Sequence, residues 1–355
     1  MDKNIEAAMG KSEKKEQKIK CVVWDLDNTI WDGILIENKN VGLRPGVVDI
    51  IKTLDSRGIL QSVASKNDHD TAMTKLKEFG LSEYFIYPQI HWNQKSSSIQ
   101  TIAQLINIGI DTLAFIDDQP FEREEVNFTN PEVLCIDAAV LDALLDMPEM
   151  NPRFITGDSR QRRQMYMSDI KRNKIEQEFK GTQEEFLETL NMEFTISSVR
   201  DGDLQRAEEL TVRTHQLNST GYTYSYEELD AFRKSDRHKL FIAGLSDKYG
   251  NYGKIGLVLV ECEEGIWTLK LLLMSCRVIS RGVGTVMLSY VMGLAKKANV
   301  SLRAEFVPTD RNRMMYISYR FANFKEIGNR NEVVILENDL SQIQPIADYI
   351  KIIEC

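Results

Sequence analysis

The stretch Asp25-Leu26-Asp27-Asn28-Thr29, which directly follows the apolar run from Ile19 to Trp24, is the most informative part of this chain. The apolar run predicts a buried strand, and side chains two residues apart on a strand point to the same side. The two carboxylates of the motif are therefore expected on one face at the strand end. One carboxylate there can attack phosphorus and help to hold Mg²⁺, while its partner transfers protons to the leaving group and from water. The motif thus indicates phosphoryl transfer.

A calcium-binding loop is the nearest alternative for the same letters. Such a loop requires Gly at its sixth position and Glu at its twelfth. This chain has Ile30 and Ile36 at those positions, so calcium is not expected here.

Three further groups of residues downstream favour the phosphoryl-transfer interpretation. Ser65 ends a second apolar run, and open α/β sheets bind their ligands at such strand ends. Lys95 opens a predicted helix, where its ammonium could neutralise both the phosphate and the nucleophile. Asp117 and Asp118 follow a third buried run and offer the hard oxygen ligands that Mg²⁺ prefers. Taken singly, each residue also fits a turn, a solvated helix start or a polar strand end.

In this order and spacing, the motifs resemble the haloacid dehalogenase (HAD) phosphatase superfamily. The resemblance implies Asp25 as the nucleophile and Asp27 as the acid/base, with Ser65 and Lys95 holding phosphate. It also implies a Mg²⁺ site, with these candidate ligands: Asp25, Asp27, Asp117 and Asp118. The segments 27–45 and 65–95 are too short for the large cap domain of many members, so a capless, Rossmann-like parallel sheet is expected.

Length and composition limit what the rest of the chain does. The chain has 355 residues, which predicts about two domains, and 43% hydrophobic residues suffice for two cores. A net charge of -9 disfavours a general nucleic-acid role. Five cysteines without a C-x-x-C pair indicate a reducing, cytoplasmic location. Neither a bilayer-spanning stretch nor a signal-peptide core is visible in the sequence, so no membrane role is expected.

The composition changes along the chain predict four segments. A flexible tail covers 1–18, the HAD-like phosphatase domain 19–145, a polar helical connector 146–190, and a second α/β domain 191–355. The predicted fold class is therefore α/β throughout.

A Gly-containing turn in the second domain predicts an anion site. An apolar strand ends at Met274, and Gly282 and Gly284 precede a predicted helix whose free backbone N–H groups can cradle an anion. This turn resembles the pyrophosphate-binding turn of the GNAT acetyltransferase fold. Ile279 stands where those enzymes carry Gln or Arg, so ordinary acetyl-CoA use is not implied.

Cys276 lies between that strand and that helix. A helix start with Arg277 and Arg281 nearby favours the thiolate, which makes Cys276 a candidate nucleophile. On spacing alone, a cysteine in this position is better explained as a small buried hydrophobe. His215 is a candidate base, although its distance from Cys276 is not determined by the sequence.

Four blocks together are similar to the FkbH-like family, fused HAD and GNAT-like proteins of polyketide biosynthesis. These blocks are 25–31, 65–68, 115–126 and 272–278. Members of that family are taken to use 1,3-bisphosphoglycerate, remove phosphate, and load a glyceryl unit onto the phosphopantetheine thiol of an acyl carrier protein. One departure is His215, where the family's T-N-Q-F-N pattern has Asn.

The resemblance implies an enzyme thioester on Cys276, because a thiolate can displace phosphate from an acyl phosphate without further activation. The remaining candidates for the acyl and pantetheine site are His215, Gln216, Asn218, Arg277, Arg281, Gly282 and Gly284. Two alternatives stay open. The chain is a plain phosphatase of a small phosphate ester with a substrate- or carrier-binding second domain, or it is a docking scaffold with a vestigial site.

Overall fold

The computed structural model describes residues 19–38 and 40–354. The chain divides into two compact units, the first ending at Arg163 and the second beginning at Gln164. This division falls inside the segment predicted as a connector, and the predicted boundaries near 145 and 190 stay predictions. The tail predicted for 1–18 lies outside the described residues.

The first unit is built on a five-stranded sheet with every neighbouring pair parallel. Its strands follow the order β5-β4-β1-β6-β7. Both flanks of β1 are paired, and all of its residues are fully buried, as an unbroken apolar run predicts. The strands are β1 (Cys21–Trp24), β4 (Leu60–Ser65), β5 (Gln89–Ile90), β6 (Leu113–Asp117) and β7 (Leu134–Asp137), with a separate hairpin of β2 (Trp31–Asp32) and β3 (Gly42–Leu43).

Helices of the first unit connect these strands. The helix α1 buries an apolar face of Val47, Ile50, Ile51 and Leu54, and α2 begins where the Asp68 carboxylate accepts a hydrogen bond from the Thr71 N–H. The α-helices are α1 (Val47–Ser56), α2 (His69–Glu78), α3 (Lys95–Ile106), α4 (Pro120–Thr129) and α5 (Gly157–Arg160). Short 3₁₀ turns cover Ser82–Tyr84, Ile110–Thr112, Ala138–Asp146 and Pro148–Met150. The described residues between β1 and α1 form only the small hairpin, which leaves no large cap there.

The second unit contains an eight-stranded sheet of mixed direction in the order β13-β14-β12-β11-β10-β9-β8-β15. Two pairs are parallel, β11 with β12 and β15 with β8, and the other pairs are antiparallel. The strands are β8 (Met192–Ser198), β9 (His238–Asp247), β10 (Gly250–Glu263), β11 (Ile266–Met274), β12 (Ser301–Phe306), β13 (Lys325–Arg330), β14 (Val333–Asn338) and β15 (Ile350–Glu354).

Helices pack against this sheet over an extensive apolar core. The helix Val283–Lys297, the longest that lies wholly within the unit among the described residues, contributes Val286, Met287 and Val291 to that core. The helices are α6 (Arg162–Glu178), α7 (Gln183–Glu188), α8 (Leu204–Arg213), α9 (Tyr226–Lys234), α10 (Val283–Lys297) and α11 (Arg313–Phe321), with 3₁₀ turns at Asp201–Asp203 and Cys276–Arg281. Helix α6 starts two residues before the division between the units.

The parallel strands β11 and β12 separate after a short pairing, and a loop of the same unit fills the gap. Pairing extends only from Ile266–Leu269 to Ser301–Ala304. Beyond it, the Ser219 N–H donates to the Leu272 carbonyl (3.0 Å) and the Met274 N–H to the Leu217 carbonyl (2.9 Å). The Val307 N–H donates to the Ser219 carbonyl (3.0 Å). The segment 217–219 therefore bridges both strands where they diverge.

The predicted α/β fold class is confirmed, with a five-stranded parallel sheet followed by a second α/β unit. Over residues 19–38 and 40–354, none of the helices combines the length and the apolar character needed to cross a membrane.

Candidate active site

Three neighbouring strands of the first unit deliver polar side chains to one edge of the sheet. Asp25 directly follows β1, Ser65 ends β4 and Asp117 ends β6. Strand β1 pairs with both of the others in parallel, so the three carboxyl ends lie side by side. All three side chains are buried. The motifs that the sequence placed at separate strand ends thus meet in one place.

Lys95 connects two of these acids. Its Nζ donates to Oδ1 of Asp25 at 2.7 Å and to Oδ2 of Asp117 at 2.6 Å. The lysine side chain is only 4% exposed, so these ion pairs form away from bulk water. The ammonium therefore lies beside the predicted nucleophile, as the sequence indicated.

Burial controls the protonation of this group. It raises the pKa of Asp25 to about 7, because the charge of Lys95 only partly offsets the loss of hydration and the Asp117 charge adds to it. Burial likewise raises the pKa of Asp117 against the attraction of Lys95. For Lys95, burial works against the charged form, but the two carboxylates outweigh it and raise the pKa of the ammonium. One ammonium is thus not enough to keep both carboxylates at their ordinary pKa values.

The first turn of α3, which presents Lys95, is anchored by α4. The Ser96 N–H donates to Oε2 of Glu125 at 3.2 Å, and its hydroxyl donates to the other carboxylate oxygen of Glu125. The Asn130 amide donates to the Ser96 carbonyl at 3.2 Å. These contacts hold the helix start in position. The sequence did not reveal them, because the partners lie about thirty residues apart.

The carboxylate of Asp27 is held by three N–H donors. Oδ1 accepts from the Trp31 indole at 2.7 Å and from the Leu35 backbone at 3.1 Å. Oδ2 accepts from the Asn67 amide at 3.0 Å. Sequence analysis singled out Asp27 but assigned no role to Trp31 or Asn67. For Trp31, the sequence offered one indication of such a contact: the residue lies in an apolar stretch, and a buried indole N–H usually finds a hydrogen-bond partner.

Asp25, Asp117 and Asp118 form a group that fits a divalent cation. Each offers a carboxylate oxygen, and these oxygens lie within 4.8 Å of one another. Oδ1 of Asp118 is buried and lacks a hydrogen-bond partner, which leaves it available to a ligand. Three carboxylates against one ammonium suit Mg²⁺, which binds oxygen ligands. The carboxylate of Asp27 lies outside this group, and its predicted role as a metal ligand stays a prediction.

Asp117 receives further support that sequence reasoning missed. Its Oδ1 accepts from the Gln119 N–H at 2.8 Å, and its carbonyl accepts from the Arg123 guanidinium at 2.8 Å. Arg123 also pairs with Asp137 at the end of β7 (2.6 Å). The end of β6 is therefore fixed by α4 and by the neighbouring strand.

In the second unit, Cys276 is the first residue of the 3₁₀ turn that follows β11, and it is partly buried and not in a disulfide. Gly282 ends this turn with φ 74° and directly precedes α10. This positive φ favours glycine, and a Cβ at Gly282 would also lie 2.8 Å from the hydroxyl at the far end of the Tyr349 side chain. Gly284 lies against Met274, where a Cβ would come within 3.1 Å of the methionine Cε. The left-handed backbone thus accounts for Gly282, whereas the predicted anion-binding role of both glycines stays a prediction.

The arginines beside Cys276 contact acidic side chains of α6. Arg281 pairs with Glu176 at 2.9 Å and is 3% exposed. Arg277 donates to the Tyr252 carbonyl at 2.7 Å and lies 3.8 Å from Asp169. In this structure both guanidiniums therefore face acids of the protein. Their predicted contacts with an acyl or pantetheine group stay predictions.

Arg172 is the centre of this polar network, and sequence analysis did not single it out. The side chain is fully buried and donates to both oxygens of Asp247, at 2.7 and 2.8 Å. It also donates to Asp169 at 2.7 Å, and its guanidinium lies 3.9 Å from the centre of the Tyr252 ring. The sequence of a helix that is rich in charged residues does not indicate which of its arginines is buried.

Asn218 is fully buried and closes its own loop. Its amide donates to the carbonyls of Thr214 and Tyr222, and its side-chain oxygen accepts from the backbone of Thr220 and Gly221. Its carbonyl accepts from Asn312 at 3.0 Å. These bonds shape the segment that bridges β11 and β12. His215 and Gln216 lie in the same loop, partly buried, and their predicted roles stay predictions.

A known family model matches the amino-terminal part of the chain. Residues 1–125 match the family model described as haloacid dehalogenase-like hydrolase. The amino-terminal part of this chain is therefore similar to hydrolase domains of that kind, and the prediction of an enzyme is confirmed. No curated protein matches the sequence.

Several solved structures are similar to parts of the chain. One is the N-terminal part of a Bacteroides fragilis protein that contains a phosphatase domain, complexed with Mg; it is 29% identical, with a TM-score of 0.34, over 38% of this chain and 41% of that one. Another is the ribosomal-protein-S18-alanine N-acetyltransferase from Escherichia coli, 17% identical, with a TM-score of 0.34, over 42% of this chain and 95% of that one. An N-acetyltransferase from Staphylococcus aureus is 13% identical, with a TM-score of 0.33, over 42% and 99% of the two chains. This chain thus spans about two fifths of the phosphatase-containing chain.

Proposed function

We propose that this protein is a Mg²⁺-dependent phosphatase and acyltransferase of the FkbH-like kind. In this proposal it dephosphorylates 1,3-bisphosphoglycerate and loads a glyceryl unit through an enzyme thioester onto the phosphopantetheine thiol of an acyl carrier protein. The observation that carries the phosphatase half is the meeting of Asp25, Ser65 and Asp117 at the ends of three adjacent parallel strands, with Lys95 bonded to both aspartates.

Phosphate removal follows from the roles that the site supports. An Asp25 oxygen attacks phosphorus, the bond to the leaving oxygen breaks, and Asp27 protonates that oxygen. In the second step Asp27 takes a proton from water, which attacks the phosphoryl group on Asp25 and releases inorganic phosphate. Lys95 and Ser65 hold the phosphoryl oxygens throughout. Asp25, Asp117 and Asp118 would hold Mg²⁺, which when bound supplies positive charge to the transferring phosphoryl group.

Acyl transfer is assigned to Cys276. Its thiolate attacks the acyl carbon, a C–S bond forms, the C–O bond to phosphate breaks, and phosphate departs with the electron pair. The pantetheine thiol of the carrier protein then displaces Cys276 and receives the acyl group. Because the backbone of Leu272 and Met274 is bonded to the segment 217–219, we do not propose that the pantetheine arm pairs with that part of β11.

A second candidate is a phosphatase of a small ester whose second unit only binds substrate or carrier protein. The contacts of Arg277 and Arg281 favour it, because both guanidiniums are bound to acids or a carbonyl of the protein itself. In that case, Cys276 is a packing residue and no enzyme thioester forms.

Intact-mass spectrometry separates these two functions. Carrier protein bearing its phosphopantetheine arm is incubated with enzyme, Mg²⁺ and 1,3-bisphosphoglycerate. We expect a glyceryl adduct on the carrier protein and a hydroxylamine-sensitive adduct on the enzyme that is absent from Cys276→Ala. Cys262→Ala is the matched control, since Cys262 is also partly buried in the second unit. Full loading by Cys276→Ala would show direct attack by the pantetheine thiol, and phosphate release without any loading would favour the second candidate.

A further inference from the structure

The three donors around Asp27 treat its two carboxylate oxygens differently. Oδ1 accepts two hydrogen bonds, from the Trp31 indole and the Leu35 backbone, while Oδ2 accepts one, from Asn67. A carboxylate oxygen has about two acceptor positions. The contacts therefore fill Oδ1 and leave Oδ2 with capacity for one further partner.

Trp31 is held so that its N–H direction cannot vary freely. The side chain is fully buried in the core of the first unit and lies 6.3 Å from the Phe79 ring, centre to centre. Its backbone is paired with Leu43 in the small hairpin. Both ends of the residue are thus fixed, and the indole aims its one donor at Asp27.

Asn67 connects the predicted acid/base to the predicted phosphate holder. Its amide nitrogen donates to Oδ2 of Asp27 at 3.0 Å and to the Ser65 hydroxyl at 3.2 Å. The asparagine is 3% exposed, so it lies beneath the site rather than in solvent. One amide group therefore sets the position of two side chains that must face the same phosphate ester.

We propose that Trp31 and Asn67 are positioning residues that orient Asp27 so that Oδ2 carries the proton to the leaving oxygen. The inference rests on the proposed phosphatase function and adds to it the atom and the supports of the proton transfer. As the P–O bond of the ester breaks, the proton of Oδ2 passes to the departing oxygen. In the second step Oδ2 takes a proton from the attacking water.

Leaving-group dependence tests this proposal. Two substrates are compared, 3-phosphoglycerate and p-nitrophenyl phosphate. The alkoxide that leaves 3-phosphoglycerate is a poor leaving group and needs protonation, whereas p-nitrophenolate leaves with little help. Trp31→Phe keeps most of the buried ring but removes the donor. We expect it to slow 3-phosphoglycerate hydrolysis about 10–100-fold, while the p-nitrophenolate burst in a single turnover stays within about threefold of wild type. The burst reports only the first step, so a slower second step does not confuse the comparison.

Trp24→Phe is the matched control. Trp24 is equally buried and its indole also donates one hydrogen bond, to Gln61 at 3.1 Å. Its loss is expected to affect both substrates to the same extent. If Trp31→Phe does not fold, Asn67→Ala gives the same test, with Asn151→Ala as its control, because the side-chain amide of Asn151 donates to the backbone carbonyls of Leu145 and Met147.

The outcomes are distinguishable. Wild-type enzyme that releases phosphate from neither substrate would contradict the proposed function. Wild-type activity together with equal effects of Trp31→Phe or Asn67→Ala on both substrates would refute the positioning role alone.

Discussion

The two units use buried charge in opposite ways. In the first, Asp25 and Asp117 share a single ammonium, from Lys95, and Asp118 adds a third carboxylate to the group. In the second, Arg172 bonds to Asp169 and Asp247, and Arg281 pairs with Glu176. The first group has surplus negative charge for a cation, whereas the second pairs each of these arginines with acids of the protein.

The difference shows which buried charges indicate a site. Both Asp25 and Asp169 have a pKa raised by burial, so a raised pKa does not separate them. The partners do: Asp169 faces three arginines, and Asp25 faces one lysine and another acid. Acids gathered at strand ends with too few cations mark a ligand site more reliably than a balanced ion-pair network does.

The largest expected effect is the loss of the activity that is proposed for the first unit. Asp25→Asn keeps the shape of the side chain but removes the nucleophile, so phosphate release should fall at least ~10⁴-fold. Cys276→Ala should leave phosphate release from 3-phosphoglycerate unchanged. Phosphate release is measured in the presence of Mg²⁺, with circular dichroism to verify folding. Wild-type turnover by Asp25→Asn would remove Asp25 from the mechanism.

The second effect is confined to the network of the second unit. Arg172→Met leaves Asp169 and Asp247 buried without their main partner, and breaking such a pair typically destabilises by about 3–5 kcal/mol. Hydrogen exchange measured by mass spectrometry should show faster exchange in β9 and β10, with the β1–β6 peptides unchanged.

Lys351→Met is the control for this variant, because the ion pair of Lys351 with Glu193 is exposed and should contribute less than about 1 kcal/mol. The contrary outcome is a loss of phosphate release in Arg172→Met while β9 and β10 keep their protection from hydrogen exchange. That result would show that the network contributes to phosphatase activity.

The smallest expected effect couples Mg²⁺ to protons. Because the folded-state pKa of Asp25 is raised to about 7 from an unfolded value near ~3.9, the metal-free protein holds a proton that the unfolded chain lacks. The contribution of this protonated carboxyl to folding stability is therefore fully present below the unfolded pKa, and it is lost as pH rises through about 7. Mg²⁺ competes with that proton, so it should raise Tm by a few degrees at ~pH 8 and hardly at ~pH 5.5.

Thermal unfolding in Mg²⁺ or EDTA at the two pH values measures this coupling, and in Asp25→Asn the pH dependence of the Mg²⁺ effect should become smaller, since the raised pKa of Asp117 then remains in the group. An equal gain at both pH values in the wild type would place the ion away from Asp25.

The sequence by itself determined the features that depend on local pattern. Unbroken apolar runs predicted the buried parallel strands, and Asp25, Ser65 and Asp117 were placed at strand ends because the apolar runs stop there. Gly282 was identified at a turn, which its positive φ explains.

Only the tertiary structure decided which distant groups meet. Lys95 reaches Asp25 across 70 residues, and Arg172 reaches Asp247 across 75. The segment 217–219 bridges the gap between β11 and β12 by backbone bonds, which side-chain pattern does not encode. Donor–acceptor pairing depends on the packing of whole elements rather than on local periodicity. For that reason the supports of Asp27, Trp31 and Asn67, appear only when the strand ends and the hairpin come together.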